Sequence, residues 1–314
     1  MTKPTIVILG AGAVGGYFGA RLVQHDAAAV TFLVREPRKA VLARDGLVVE
    51  SPFGNVTLAV TARTAAELAG ANPDFILVTA KAYDLDAAIA AIAPVAGPDT
   101  AIVPLLNGVA HMERLNEVFG RERVLGGIVS LQVRQRADGA IEHLNDWQFI
   151  TVGEQVGGLS PRVERLAAAL EQARLTVTAT PEIMQKLWEK VVFLATLAGM
   201  TTLMRAPLGA IAQAPGGSAL TLAMLETNAV AAAHSGFQMP AGQMEAWRKL
   251  FTDTTSKFTA SMLADMNRNG PVEADHIIGF MLERARAAGA DATLLSVAYA
   301  NLKAYEIGRA AGPA

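Results

Sequence analysis

The chain has 314 residues at 32.9 kDa, 52% hydrophobic and 18% charged, with a formal net charge of −2. That length predicts two domains, and the composition is far from the charge-rich makeup of disordered chains, so a sizeable packed core is expected. Neither the first 180 residues (net −2) nor the remainder (net 0) carries the basic excess of a nucleic-acid binder. The absence of cysteine removes disulfides, thiolate nucleophiles, iron–sulfur clusters and cysteine-ligated zinc together.

The N-terminal Met-Thr-Lys-Pro runs straight into the apolar stretch Thr5 to Leu9, too short for a signal-peptide core. Thr5 to Leu9, Ala29 to Val34, Phe75 to Thr79 and Ala101 to Leu105 read as strands. Between them, Gly15 to His25, Pro37 to Asp45, Asp84 to Ala93 and Ala110 to Phe119 carry apolar residues at helical spacing. This alternation predicts βαβ units and a parallel sheet. From Val124 to Gly153 the pattern becomes alternating strands around the turn Asp138-Gly139, an antiparallel extension of the sheet. After Pro181 the period is helical almost throughout, punctuated at Pro207, Pro215 to Gly217, Gly236 to Gly242 and Asn269 to Pro271. The longest uncharged apolar stretch, Val191 to Met204, is shorter than the roughly 20 residues of a membrane span. The expectation is a cytoplasmic α/β protein, with a parallel-sheet domain over residues 1–180 and an all-helical domain over residues 181–314.

The run Gly10-Ala11-Gly12-Ala13-Val14-Gly15 follows the first strand and opens a helix, the context a dinucleotide-binding G-x-G-x-x-G requires. The first glycine makes the tight turn, the second admits the pyrophosphate to the backbone, and the third lets helix meet strand. The second strand ends Leu33-Val34-Arg35, with Arg38 and Lys39 close behind, where an NAD-binding chain would carry an acid for the ribose hydroxyls. A guanidinium there suits the 2′-phosphate of NADP, although Glu36 is adjacent and Arg35 also reads as a solvated loop residue. Lys81 and Asn107 follow the next two strands, at the carboxyl end of a parallel sheet where ligands bind. On spacing alone, Lys81 reads equally as a loop lysine, and Asn107-Gly108 as a turn capping the next helix.

Glu182, Lys186 and Lys190 fall at i, i+4 and i+8, the pattern of a solvated helix stripe with a Glu-to-Lys pair. The stripe continues, however, to Leu194 and Ala198 inside an apolar segment. Partial burial there would disfavour the ammonium of Lys190, lower its pKa and make it a better proton donor near neutral pH.

Taken together, Gly10 to Gly16, Lys81-Ala-Tyr, Asn107-Gly, Leu187-Trp-Glu-Lys190, Ser261-Met-Leu263 and Glu273-Ala-Asp-His-Ile-Ile-Gly279 resemble the ketopantoate reductase (2-dehydropantoate 2-reductase) family in order and rough spacing over nearly the whole chain. The resemblance implies a Rossmann-type NADP-binding domain, an all-helical domain, and a cleft between them where NADPH reduces a 2-keto acid in pantothenate biosynthesis. It gives Lys190 the role of protonating the ketone oxygen, and Glu273 that of the acid holding the substrate's hydroxyl end. Ser261 would bind the substrate carboxylate, and Asn107 would lie near the nicotinamide and the lysine. Read without the resemblance, Glu273, two residues after Pro271, would serve a helix N-terminus, and Ser261 a helix surface.

One departure bears on substrate. The family carries asparagines four and eight residues after the lysine, where this chain has Leu194 and Ala198. Losing two amides from a substrate pocket removes hydrogen bonds of roughly 0.5 to 1.5 kcal/mol each. The expected substrate is therefore a 2-keto acid more apolar than ketopantoate, or one lacking its terminal hydroxyl. The competing readings are a hydroxy acid or opine dehydrogenase, and a dinucleotide-binding regulatory protein without turnover. His25, His111, His143, His234 and His276 lack metal-ligand spacing, so no metal site is expected. The methionines read as core fillers. No nucleic-acid or membrane partner is expected, and the apolar content of the helical half allows a homodimer.

Overall fold

The computed structural model describes residues 3–311. The first half runs β1 (Thr5–Leu9), α1 (Ala13–Gln24), β2 (Ala29–Leu33), α2 (Glu36–Asp45), β3 (Leu47–Glu50), β4 (Val56–Leu58), β5 (Ala62–Arg63), α3 (Ala65–Leu68), β6 (Phe75–Val78), α4 (Leu85–Ile92), β7 (Ala101–Pro104) and α5 (Ala110–Phe119). There follow β8 (Leu125–Ser130), β9 (Val133–Gln135), β10 (Ile141–His143), β11 (Phe149–Glu154), α6 (Pro161–Gln172) and β12 (Thr176–Ala179).

Five strands form a parallel sheet in the order β5-β2-β1-β6-β7. Every residue of β6 and β7 is buried, as expected of parallel strands covered on both faces. Counted within this sheet the order is 3-2-1-4-5, which reverses between β1 and β6 and opens a ligand crevice beyond their carboxyl ends. The predicted antiparallel segment divides between two further sheets. β9 and β10 form a hairpin about Gly139 and join a four-stranded sheet β4-β3-β10-β9, whereas β8 and β11 pair antiparallel within β12-β11-β8. A parallel bridge from Ile102 to Val124 links this last sheet to β7.

The remainder is helical: α7 (Ile183–Met204), α8 (Leu208–Gln213), α9 (Gly217–His234), α10 (Ala241–Phe251), α11 (Ser261–Asn267), a π-helical turn (Asp275–Gly279), α12 (Phe280–Ala287) and α13 (Thr293–Ala311). Aromatic pairs build its core: Trp188 stacks on Phe237 at 5.2 Å between ring centroids, and Phe193 meets Trp247, Phe251 and Phe258. Among the described residues α7 alone has the length and hydropathy to cross a membrane, but 72% of its apolar window is buried in the protein, as in a core helix. Its length comes from including Lys186, Glu189 and Lys190 ahead of the uncharged stretch.

The chain forms two compact units. One holds the residues up to Leu106 and His111–Met184; the other holds Asn107–Ala110 and everything from Gln185 onward. The division therefore falls inside the first turn of α7 rather than at residue 180, and the Asn107 turn belongs with the helices.

Candidate active site

In the first unit, Gly10 ends β1 with φ +93°, a left-handed conformation that costs a side-chain-bearing residue, and its N–H donates to Leu33 O at 2.9 Å. At Gly15 a Cβ would lie 2.4 Å from both Gly10 O and Thr79 Oγ1, so only glycine lets the helix start this close to the strand. Thr79, one residue past β6, donates its hydroxyl to Leu9 O at 2.7 Å and ties the two strand ends together.

Beyond these ends lies a cleft of about 660 Å³. Gly10, Ala11 and Gly12 line it, together with Arg35, Arg38, Thr79 and Gln135. Ala13, Val14 and Gly15 form the first turn of α1 and do not line the cleft, and neither does Lys81, an exposed residue opening the short turn before α4. Arg35 caps α2, is exposed and has no side-chain partner among the described residues. Lys39 is committed elsewhere, bonding both carboxylate oxygens of Glu67 at 2.6 and 2.7 Å. Arg38, Thr79 and Gln135 are cleft residues the motif reading did not assign. Thr79 was findable as the residue following a parallel strand; Gln135 reaches the cleft through tertiary placement of a hairpin, which no local pattern signals.

In the second unit, Lys190 stands two turns into α7. The predicted Glu182–Lys186 pair does not form, because Glu182 precedes the helix; Lys186 instead bonds Glu189 at 2.9 Å. Lys190 keeps some solvent access. Burial nevertheless pulls its pKa down from 10.5 to about 8, against the opposing attraction of the Glu273 carboxylate. Glu273 is buried, so the structure couples the two predicted groups electrostatically.

Glu273 sits just before the π-helical turn, a local widening that recurs at functional sites. Two neighbours hold this turn. Tyr299 of α13 donates its hydroxyl to Asp275 Oδ1 at 2.6 Å, and Lys303 donates to Oδ2 at 3.1 Å. On the other side, Gly108, with φ +83°, leaves 3.0 Å between an added Cβ and His276 O, so the Asn107 turn packs directly against the segment following Glu273.

Leu194 and Ala198 continue the Lys190 face at one and two turns; Leu194 is half-buried and Ala198 almost sealed at 3% exposure. Thr201 extends that face, and its Oγ1 accepts from Ala260 N at 3.4 Å, bringing the start of α11 against α7. Ser261 opens α11 there, exposed. Lys190, Glu273, Asn107 and Ser261 thus lie on α7 and the segments packed on or coupled to it, whereas Arg35, Lys81 and the glycine loop belong to the other unit.

Residues 6–157 match the family model of ketopantoate reductase PanE/ApbA, and residues 182–306 that of its C-terminal part. A Bacillus subtilis protein described as an uncharacterized oxidoreductase, YkpB, is 33% identical over 96% of this chain and 98% of its own. A 2-dehydropantoate 2-reductase of Mesorhizobium japonicum is 29% identical over 90% of this chain and 91% of its own. Among solved structures, 2-dehydropantoate 2-reductase from Geobacter metallireducens aligns with a TM-score of 0.84 at 28% identity, covering 96% and 99% of the two chains. D-mandelate dehydrogenase with NADH and anilino(oxo)acetate shares the fold at a TM-score of 0.86 and 19% identity, covering 98% and 99%. With a glycine-loop cleft in one unit, a desolvated lysine coupled to a buried carboxylate in the other, and family models matching both, the chain belongs to the ketopantoate reductase PanE/ApbA family of oxidoreductases.

Proposed function

We propose that this chain uses NADPH to reduce a 2-keto acid to the 2-hydroxy acid, with Lys190 as the proton donor. The observation that carries the reading is a lysine whose pKa falls to about 8 beside a buried carboxylate. The cleft residues fit a dinucleotide: a glycine loop with no room for a Cβ at Gly15, and two arginines without carboxylate partners. When bound, the cofactor supplies a hydride to the carbonyl carbon. Lys190 Nζ gives its proton to the ketone oxygen as negative charge develops there and recovers one from water afterwards. The Glu273 carboxylate keeps the lysine charged against its desolvation. Ser261 and Asn107 supply a hydroxyl and an amide for the substrate's carboxylate and carbonyl ends, and Arg35 serves the cofactor from the cleft, with Lys81 outside its lining.

Leu194 and Ala198 leave the helix face beyond Lys190 apolar, which supports a substrate less polar than ketopantoate. The cytoplasmic setting and pantothenate biosynthesis belong to this same reading. The fold is shared with an NADH complex, so both cofactors belong in the assay. The test follows NADPH and NADH oxidation against ketopantoate and 2-keto acids of graded polarity, with Lys190→Ala in parallel. Turnover of a 2-keto acid with NADPH, lost in the variant, is expected. Cofactor binding without turnover of any keto acid would overturn the reading in favour of a regulatory dinucleotide-binding protein.

A further inference from the structure

Arg38 is the third residue of α2 and lines the dinucleotide cleft. Its Nη2 donates to Ala11 O at 3.0 Å, within the glycine loop, and to Gly139 O at 3.1 Å, at the β9–β10 turn. Gln135 Nε2 reaches the same two carbonyls at 3.4 Å. Gly139 has φ +87°, and a Cβ there would stand 2.6 Å from Arg38 Nη1, so the turn closes tightly over the guanidinium.

The rest of that guanidinium is unused. Nε is buried without a partner, and Nη1 bonds no described residue. Neighbouring acids are engaged elsewhere: Glu67 with Lys39, and Asp138 with Arg136. Burial pulls the pKa of Arg38 below its ordinary value, the mark of a cation desolvated with no counter-charge. An uncompensated, partly buried cation is costly, and a ligand anion would relieve that cost.

We infer that Arg38 is a second guanidinium for the 2′-phosphate of NADPH, acting with Arg35 from the first turn of α2 while holding the β9–β10 turn onto the glycine loop. Positions 35 and 38 are i and i+3, neighbours on one helix face, and Arg35 is exposed with no side-chain partner. The two divide the task. Arg38 is fixed by main-chain carbonyls and pre-oriented, whereas Arg35 is free to close on the phosphate. This inference rests on the NADPH reading above.

The test is direct binding of NADPH and of NADH, by quenching of protein fluorescence, to the wild type, Arg35→Met, Arg38→Met and Arg38→Lys. In Arg38→Met, both affinities fall as the glycine loop loosens, but NADPH affinity is expected to fall about 10- to 100-fold further than NADH affinity, the range for a charge-assisted hydrogen bond. Arg38→Lys keeps the charge but not the planar fork and should fall between. It also serves as the comparison if the Met variant fails to fold. Equal loss of both cofactors would make Arg38 only a strut for the hairpin and overturn the inference. A wild type that binds NADPH no more tightly than NADH would instead remove the NADPH reading itself.

Discussion

The lowered pKa of Lys190 makes the rate of the proposed reduction depend on pH with a definite sign. A proton donor works in its charged form, so kcat/KM should be level below about pH 8 and fall above it. With a pKa of about 8, roughly nine-tenths of the lysine is protonated at pH 7 and roughly one-tenth at pH 9, a loss of about tenfold across that interval. Glu273→Gln is the informative perturbation. The Glu273 carboxylate raises the lysine pKa against desolvation, so a neutral amide of the same shape should move the alkaline limb to lower pH. Two effects can be separated in one profile. Whatever rate remains lost at pH 6, well below both limbs, reports substrate positioning, and the additional loss near pH 8 reports the lysine. The assay is initial-rate kcat/KM at saturating NADPH from pH 6 to 10 for wild type and variant. A wild-type profile level to pH 9.5, or a limb that moves upward in Glu273→Gln, would refute the coupling.

Three further predictions follow from the same geometry. Because the unfolded lysine holds its proton up to about pH 10.5 and the folded one only to about pH 8, the unfolded state binds more protons in that window and stability should rise with pH through it. The gain is at most about 3 kcal/mol and smaller given the lysine's residual solvent access; thermal melts should show it in the wild type and not in Lys190→Met. Leu194→Asn should raise kcat/KM for ketopantoate over an apolar keto acid by about 2- to 10-fold, whereas Ala198→Asn, at 3% exposure, should also cost about 1 to 3 kcal/mol in overpacking unless the pocket receives the amide; an unchanged preference in both would count against the apolar-substrate reading. Gly15→Ala must place a Cβ 2.4 Å from Gly10 O and Thr79 Oγ1, so nucleotide affinity should fall at least about tenfold with a lower melting temperature, and unchanged binding would show that the loop can shift.

How far the sequence reached depends on whether a feature is local. β1, β2, β6 and β7 are short, almost wholly apolar runs bounded by turn signals, and all four were legible within a residue of their ends. β5, only Ala62–Arg63, carries too little pattern to announce itself, and the pairings that place β10 beside β3 are long-range choices that periodicity does not encode. The same holds for the sites. The stripe from Lys190 into an apolar segment could be read on a helical wheel, and the structure supplies the desolvation that the stripe suggested. Arg38 could be seen near the end of β2, but its burial depends on a turn about 100 residues away folding over it. Glu273 looked like a helix-capping acid; its coupling to Lys190 depends on packing between segments distant in sequence.

The π-helical turn after Glu273 accommodates an extra residue without moving the segments on either side. A single-turn π-helix amounts to one residue more than an α-helix would use over the same span. Removing one residue from Asp275–Gly279 would let ordinary i to i−4 bonding run through the segment, with α12 keeping its buried face of Phe280, Met281, Leu282 and Ala285. Because the wide turn already absorbs that residue, the segments on either side would keep nearly the same phase about the helix axis, and only the groups inside Asp275–Gly279 would be re-aimed, His276 O at the Asn107 turn and the Asp275 carboxylate at Tyr299 among them. The added residue therefore changes what this one turn presents without disturbing the helix that follows it. In a distant relative, one residue fewer between the acid and Phe280 would mark loss of the widened turn and not of the buried face of α12.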